Sequence, residues 1–131
     1  MTMNFKGKTA VIAGDAWGLG HAAALLFARE GAEVICIDDN AESKDARQLR
    51  LDGFDVPYFH ADVTDEVSVD HAISGVVTEF GGLDVLVNCA AITNRGTILN
   101  TTPELFDDLF NINVRGPFFL TQAAARLTTG L

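Results

Sequence analysis

The sequence predicts a single α/β domain built on a doubly wound parallel sheet, and three observations lead to this prediction. Four short runs rich in β-branched residues alternate with longer stretches in which apolar residues recur at helical spacing. The apolar runs are continuous, which is typical of strands buried by helices on both faces. The chain of 131 residues, 48% of them hydrophobic, is long enough to bury one sizeable core. The predicted element order is therefore β-α-β-α-β-α-β-α with right-handed crossovers.

Each element has its own local signal. The predicted strands are residues 9–13, 34–37, 56–60 and 83–87. The first helix follows residue 20 and the third covers residues 69–80, and each presents one apolar face. Gly31, Gly53 and Gly81 come just after the first three predicted helices, where a left-handed C-terminal residue favours glycine. The second helix is therefore expected to run from Ala41 to the residue before Gly53.

The fourth predicted helix begins at Thr102. Thr102 is suited to the N-cap, Pro103 to the first turn, and Glu104 to the positive end of the helix dipole. The dipeptide Gly116-Pro117 is expected to kink or break this helix before helical spacing resumes over residues 118–126. No repeat or linker indicates a second domain, so residues 1–131 are interpreted as one.

Composition excludes several classes of partner. Lys and Arg number 9 against 18 Asp and Glu, a formal charge of -9, which disfavours nucleic acid and anionic membrane surfaces. Cys36 and Cys89 lie inside apolar runs and are predicted to be reduced core residues. His21, His60 and His71 share no spacing typical of metal ligands, so no metal is expected. The first six residues lack the layout of a signal peptide, and a cytoplasmic location is predicted.

A glycine-rich turn follows the first strand directly. Gly14, Gly18 and Gly20 lie where a Rossmann unit binds the pyrophosphate of a dinucleotide. A Cβ there would block the tight turn and the approach of the backbone to phosphate oxygens, and the helix N-terminus supplies free N–H groups. Leu19 and Trp17 belong to the same turn and are predicted cofactor contacts, although Trp17 could equally cover the turn. A glycine-rich connection without a ligand remains the alternative.

An acidic residue ends the second predicted strand. Asp38 lies about 20 residues beyond the glycines, where a carboxylate accepts both adenosine ribose hydroxyls and repels a 2′-phosphate. No basic residue occurs in residues 15–17 or 38–42 to receive such a phosphate, and Lys44 is the nearest. NAD is therefore predicted in preference to NADP. Asp39 follows it directly, and the alternative is that Asp38 or Asp39 starts a loop or caps the helix from Ala41.

With three further segments, this turn resembles that of the short-chain dehydrogenase/reductase family. Gly14, Gly18 and Gly20 have the family's G-x-x-x-G-x-G spacing. The other matching segments are residues 60–65 (HADVTD), 86–91 (LVNCAA) and 111–116 (NINVRG). The resemblance runs nearly end to end. It implies a Rossmann-type sheet, here truncated to about four strands in the order 3-2-1-4 with four helices.

The resemblance also assigns roles to individual residues. It implies an adenine contact at Asp62, further cofactor contacts at Val63, Asn88 and Ala90, and the family's catalytic asparagine at Asn113. Structural roles remain open for three of them. Asp62 could cap the third helix, Asn88 could satisfy backbone groups at the strand end, and Asn113 could hydrogen-bond locally within its helix.

The sequence departs from the family pattern at four positions. Ala13 replaces the usual threonine before the first glycine, and Trp17 stands where small or basic residues are common. Cys89 and Ala91 replace the second asparagine and the glycine of the family's N-N-A-G segment.

The family's remaining catalytic residues are not found in these 131 residues. Catalysis in the family depends on a Ser and a Tyr-x-x-x-Lys pair, but Tyr58 is the one tyrosine, Asp62 follows it at the lysine position, and no lysine occurs after Lys44. The resemblance thus implies the N-terminal, cofactor-binding portion of an NAD-dependent oxidoreductase that interconverts an alcohol and a carbonyl, the small-molecule substrate of a longer parent. A stand-alone, non-catalytic NAD-binding module is the alternative. A receiver-type or flavodoxin-like domain is disfavoured, because the acidic pair Asp38-Asp39 follows the second strand instead of the first.

In the order 3-2-1-4, the apolar fourth strand would form a bare sheet edge. Such an edge favours association, which is consistent with a homo-oligomer.

Overall fold

The computed structural model describes residues 3–14, 18–39, 48–51 and 53–129. Its elements, in chain order, are β1 (Thr9–Ala13), α1 (Leu19–Arg29), β2 (Glu33–Asp38), β3 (Gln48–Leu51), β4 (Phe54–His60), α2 (Glu66–Phe80), β5 (Val85–Asn88), α3 (Pro103–Phe110), a π-helical turn (Asn111–Arg115) and α4 (Gly116–Thr129). Within this part of the chain, no helix combines the length and apolar character needed to cross a bilayer.

The sheet has the strand order β3-β4-β2-β1-β5. Strands β4, β2, β1 and β5 pair in parallel, which confirms the predicted order 3-2-1-4 of the parallel strands. Ala13 pairs with both Ile37 and Asn88, and Asp38 pairs with His60. The carboxyl ends of these four strands therefore meet at one edge of the sheet.

Strand β3 corrects the prediction for the second helix. That helix was expected from Ala41 to the residue before Gly53, but residues 48–51 pair antiparallel with residues 54–57, from Gln48↔Pro57 to Leu51↔Phe54. Residues 40–47, the first part of the predicted helix, lie outside the described residues. Gly53 has a φ of +91°, so this glycine serves a hairpin turn instead of ending a helix.

The core has two halves, one on each face of the sheet. Val11 and Ile35 pack with α2 and α4, whereas Ile12 and Cys36 pack with α1. Because successive strand residues point to opposite faces, continuous apolar strands fill both halves. Helices on both faces confirm the doubly wound α/β architecture.

Helices α3 and α4 form one nearly continuous rod interrupted by the π-helical turn. Thr102 caps α3 as predicted, with its Oγ1 accepting a hydrogen bond from Leu105 N at 3.2 Å. The interruption predicted at Gly116-Pro117 is present as the π-helical turn of residues 111–115, which directly precedes Gly116. Because Pro117 has no N–H, the carbonyl of Asn113 lacks the donor that a regular helix would provide. The described residues thus contain three of the four predicted helices, with the last as a composite of α3, the turn and α4.

The start of α4 is held close to the loop after β4. An added Cβ at Gly116 would lie 3.0 Å from Val63 Cγ2, so glycine permits this approach. Arg115 forms an ion pair with Glu66 of α2, and its guanidinium lies 4.7 Å from the centre of the Phe119 ring. These contacts fix the π-helical turn beside the carboxyl edge of the sheet.

Candidate functional site

A cavity of about 430 Å³ opens at the carboxyl edge of the parallel strands. Its size lies within the range of small-molecule and cofactor sites. Five residues predicted to contact a cofactor line it, namely Gly14, Asp38, Asp62, Val63 and Ala90. The other lining residues, which were not predicted to contact a cofactor, are Ile37, Asp39, Ala61, Thr64, Cys89, Ala91, Ile92 and Ile112. Positions that are distant in the sequence thus share one wall.

Gly14 is required at the back of this cavity by close backbone packing. Its φ is +79°, and an added Cβ would lie 2.4 Å from Ala90 N. Gly14 N donates to Ile37 O at 2.8 Å, and Cys89 N donates to Ala13 O at 2.8 Å. Backbone hydrogen bonds therefore tie the ends of β1, β2 and β5 together, although Ala13 lacks the hydroxyl of the family's usual threonine. The side-chain space at Gly14 is taken by the segment that follows β5.

The other two glycines lie at the N-terminus of α1. Gly18 is the N-cap, with φ 67° and ψ -124°, a conformation suited to glycine. No side chain caps this helix among the described residues, and Leu19 is 77% exposed whereas Gly20 is buried. None of these three described residues lines the cavity itself. Trp17 lies outside the described residues, so its predicted contact stays a prediction.

Asp38 ends β2 and faces the cavity. Its Oδ1 accepts a hydrogen bond from Asp39 N at 2.7 Å. Its main-chain oxygen accepts from Tyr58 OH at 2.7 Å and from Ala61 N at 3.0 Å. The junction between β2 and β4 is therefore rigidly connected at the point where the adenosine ribose contact is predicted. The alternative helix cap, at Ala41, falls on residues outside the described ones.

Asp62 shapes the loop between β4 and α2. Its Oδ1 accepts from Thr64 N at 2.8 Å and from Thr64 Oγ1 at 2.6 Å, which forms an Asx turn. The N-cap of α2 is Asp65, whose carboxylate accepts from Val67 N at 3.1 Å. The alternative that Asp62 caps the third predicted helix is therefore wrong.

The two predicted asparagines occupy different surroundings. Asn88 Nδ2 donates to Thr121 Oγ1 at 3.2 Å, so this side chain joins β5 to α4, and Asn88 is not among the residues that line the cavity. The structure thus assigns the Asn88 side chain a helix contact, in place of the strand-end backbone role that was its alternative. Its predicted cofactor contact stays a prediction.

Asn113 makes a two-point contact with the segment after β5. Its Oδ1 accepts from Ile92 N at 2.8 Å and its Nδ2 donates to Ile92 O at 2.8 Å. The alternative of local hydrogen bonding within the helix is therefore wrong. The contact spans 21 positions, and no local sequence signal indicates it. Asn113 holds the segment of residues 89–92, which contributes Cys89, Ala90 and Ile92 to the cavity wall.

The charged groups of the cavity wall are carboxylates. Asp38, Asp39 and Asp62 line it, and no Lys or Arg does so among the described residues. Cys89 is half-buried at the wall, and burial raises the pKa of its thiol. The prediction of a core cysteine is confirmed for Cys36 and is wrong for Cys89, because the strand ends before residue 89. No cluster of three or more potential metal ligands occurs in the described part of the chain.

Comparisons with known proteins agree with this geometry. The profile of the family described as short chain dehydrogenase matches residues 8–129. A sorbitol dehydrogenase from Cereibacter sphaeroides is 40% identical over 124 residues, which cover 95% of this chain and 48% of the relative. A galactitol 2-dehydrogenase from Agrobacterium fabrum is 36% identical over 125 residues, which cover 95% of this chain and 48% of the relative. The chain thus spans about half the length of these relatives.

One solved structure shows the same fold. The ligand-free aldohexose dehydrogenase of Thermoplasma acidophilum superposes with a TM-score of 0.85 at 22% identity, covering 100% of this chain and 48% of that one. At this identity the likeness concerns the fold alone.

Proposed function

Because the chain belongs to the short-chain dehydrogenase family, we propose that it is the NAD-binding, N-terminal portion of an oxidoreductase that interconverts an alcohol and a carbonyl. The observation that carries the proposal is the cavity at the carboxyl edge, where Gly14, Asp38, Asp62 and Ala90 lie together. Ligands of open α/β sheets bind at this edge. The substrate is a small alcohol or its carbonyl counterpart, and the location is cytoplasmic.

The cavity and the N-terminus of α1 fit a dinucleotide in three respects. Gly14 brings β1 and the segment after β5 into close backbone contact at the cavity wall. The N-terminus of α1 has no side-chain cap among the described residues, so its N–H groups suit a pyrophosphate. Asp38 presents a carboxylate at the end of β2 for ribose hydroxyls. NAD bound there would supply hydride transfer to or from the substrate carbon.

The other residues shape and position this site. Asp62 orders the loop after β4 through Thr64, and that loop forms one side of the cavity. Asn113 orients the opposite side by holding Ile92 at both its N–H and its carbonyl. We therefore assign Asp62 to positioning the loop at the proposed adenine end of the cavity, and Asn113 to positioning the segment of residues 89–92.

A preference for NAD follows from charge. The 2′-phosphate of NADP adds about two negative charges at neutral pH. The wall already carries Asp38, Asp39 and Asp62 without a basic residue among its described members. Repulsion of the additional phosphate therefore favours NAD.

Calorimetric titration of the 131-residue chain with NAD⁺ and NADP⁺ tests the proposal. We expect NAD⁺ to bind more tightly. Asp38→Asn should weaken NAD⁺ binding and narrow the difference between the two nucleotides, because a carboxylate that accepts ribose hydroxyls becomes a neutral amide. Asp70→Asn is the matched control, since it removes one charge from an exposed position on α2.

Tighter or equal binding of NADP⁺ by the unmodified chain would overturn the assignment of Asp38. The absence of binding by either nucleotide would overturn the proposed site. An equal effect of Asp70→Asn and Asp38→Asn would show that net charge, and not a local contact, controls the affinity.

A further inference from the structure

A second carboxylate stands beside Asp38 and is held by a histidine. Asp39 Oδ1 lies 2.7 Å from His60 Nε2, so the ring N–H donates to the carboxylate. Asp39 lines the cavity, but His60 does not. The Oδ2 atom of Asp39 has no hydrogen-bond partner among the described residues. His60 therefore contacts one oxygen of a residue that lines the cavity, without lining the cavity itself.

The position of His60 is fixed by the pairing of β2 with β4. His60 is the register partner of Asp38. On either side of it, Tyr58 OH and Ala61 N both donate to Asp38 O, at 2.7 and 3.0 Å. These hydrogen bonds limit sliding between the strand ends, so the imidazole stays within reach of Asp39.

Without this contact, the Asp39 side chain would have considerable freedom. It is 56% exposed, and the hydrogen bond from His60 is the one side-chain contact found for it among the described residues. A carboxylate that turns into solvent is screened by water and ions, and its repulsion of a ligand phosphate falls steeply with distance.

We propose that His60 is a positioning residue for nucleotide selectivity, which holds the Asp39 carboxylate at the adenosine end of the cavity so that Asp38 and Asp39 together exclude a 2′-phosphate. This inference rests on the proposed function, because it requires the nucleotide to occupy this cavity. It adds Asp39 and His60 to Asp38 as residues that determine the preference for NAD over NADP.

The test is the ratio of the dissociation constants for NADP⁺ and NAD⁺, measured by calorimetry at pH 8, where the 2′-phosphate carries its full charge. We expect Asp39→Asn and His60→Ala each to lower this ratio by roughly twofold to fivefold, the size expected for a partly exposed charge interaction. His60→Gln should retain the ratio, because its amide places an N–H donor where the imidazole Nε2–H lies. His71→Ala, an exposed histidine on α2, is the control.

The double variant Asp39→Asn/His60→Ala shows whether His60 acts through Asp39. We expect its ratio to equal that of Asp39→Asn alone. A further fall of the ratio in the double variant would overturn the inference, as would an unchanged ratio in His60→Ala. If the variants gave either of these results while the unmodified chain still bound NAD⁺, the proposed function would stand. An unmodified chain that binds neither nucleotide would overturn both.

Discussion

At the scale of single residues, Gly14 has a more specific structural role than its neighbours in the turn. A Cβ at Gly18 would meet nothing within 4 Å, and its positive φ alone favours glycine there. At Gly14 a positive φ is combined with main-chain atoms of Ala90 and Cys89 at 2.4 to 2.7 Å. Backbone cannot move aside as a flexible side chain can, so Gly14 controls the contact between β1 and β5.

Gly14→Ala should therefore destabilise the chain by about 2 kcal/mol or more, the sum of a left-handed backbone penalty and overpacking. Urea unfolding measures the change. Gly53→Ala is the matched control, because Gly53 has a φ of +91° with nothing within 4 Å of its Cβ. It should lose about 1–2 kcal/mol, from the backbone penalty alone. Equal losses for the two variants would contradict the proposed contact with Ala90.

At the scale of elements, the π-helical turn connects α3 and α4 to the cavity. It places Asn113 so that both amide atoms meet Ile92. Arg115 at the end of the turn pairs with Glu66 of α2. The turn is thus attached on two sides, and it transmits the position of the helices to the segment of residues 89–92.

Asn113→Ala should loosen that segment and expose Cys89. Burial raises the pKa of the Cys89 thiol, so its alkylation by iodoacetamide should require a higher pH than an ordinary thiol does. In the variant, greater hydration should lower this pKa towards its ordinary value. The midpoint pH of Cys89 alkylation should therefore fall in the variant, and the thiolate fraction below the midpoint should rise.

The chain contains its own control for this measurement. Cys36 is fully buried, so its alkylation reports global unfolding. Asn111→Ala changes an exposed asparagine of the same turn and should leave the Cys89 midpoint unchanged. An unchanged midpoint in Asn113→Ala, with Cys36 protected, would contradict the role of the contact with Ile92.

The elements also show what sequence could predict. The four parallel strands and their order were predictable, because continuous apolar runs and the helical stretches between them are local features of the sequence. Strand β3 was missed because the short segment of residues 48–51 was assigned to a helix that ended at Gly53. Its hairpin signal was the dipeptide Asp52-Gly53, which separates the paired residues Leu51 and Phe54 in the sequence. The contact of Asn113 with Ile92 has no comparable local signal, because it depends on the packed position of the π-helical turn.

At the scale of the whole molecule, apolar side chains remain at least partly exposed on β5, α3 and α4. Strand β5 forms an end of the sheet, and its residues 85–87 are only half-buried. Phe106, Phe110 and Phe118 of α3 and α4 are each more than half exposed. Exposed apolar surface of this kind favours association between protein molecules. It is compatible with the homo-oligomer expected from the sequence, which stays a prediction.

From the positions of its candidate acid–base residues, we expect this chain alone to show no alcohol–carbonyl turnover. The one tyrosine, Tyr58, is 5% exposed and donates its hydroxyl to Asp38 O, at the end of the cavity where we propose that the adenosine binds. No lysine follows Lys44, and Asn113 is engaged with Ile92. Without a positioned acid–base group, the rate should fall by about 10²–10⁴.

The measurement is NADH absorbance with a panel of alcohols, sugars and ketones, with the sorbitol dehydrogenase of Cereibacter sphaeroides as the positive control. We expect no turnover above that of buffer. Turnover that survives Tyr58→Phe would show that another group of the chain transfers the proton. Turnover abolished by Tyr58→Phe would place this hydroxyl next to the substrate, which contradicts its hydrogen bond to Asp38. Because nucleotide binding needs the strand ends whereas proton transfer needs an acid beside the substrate, binding without turnover is the expected behaviour of this half of the fold.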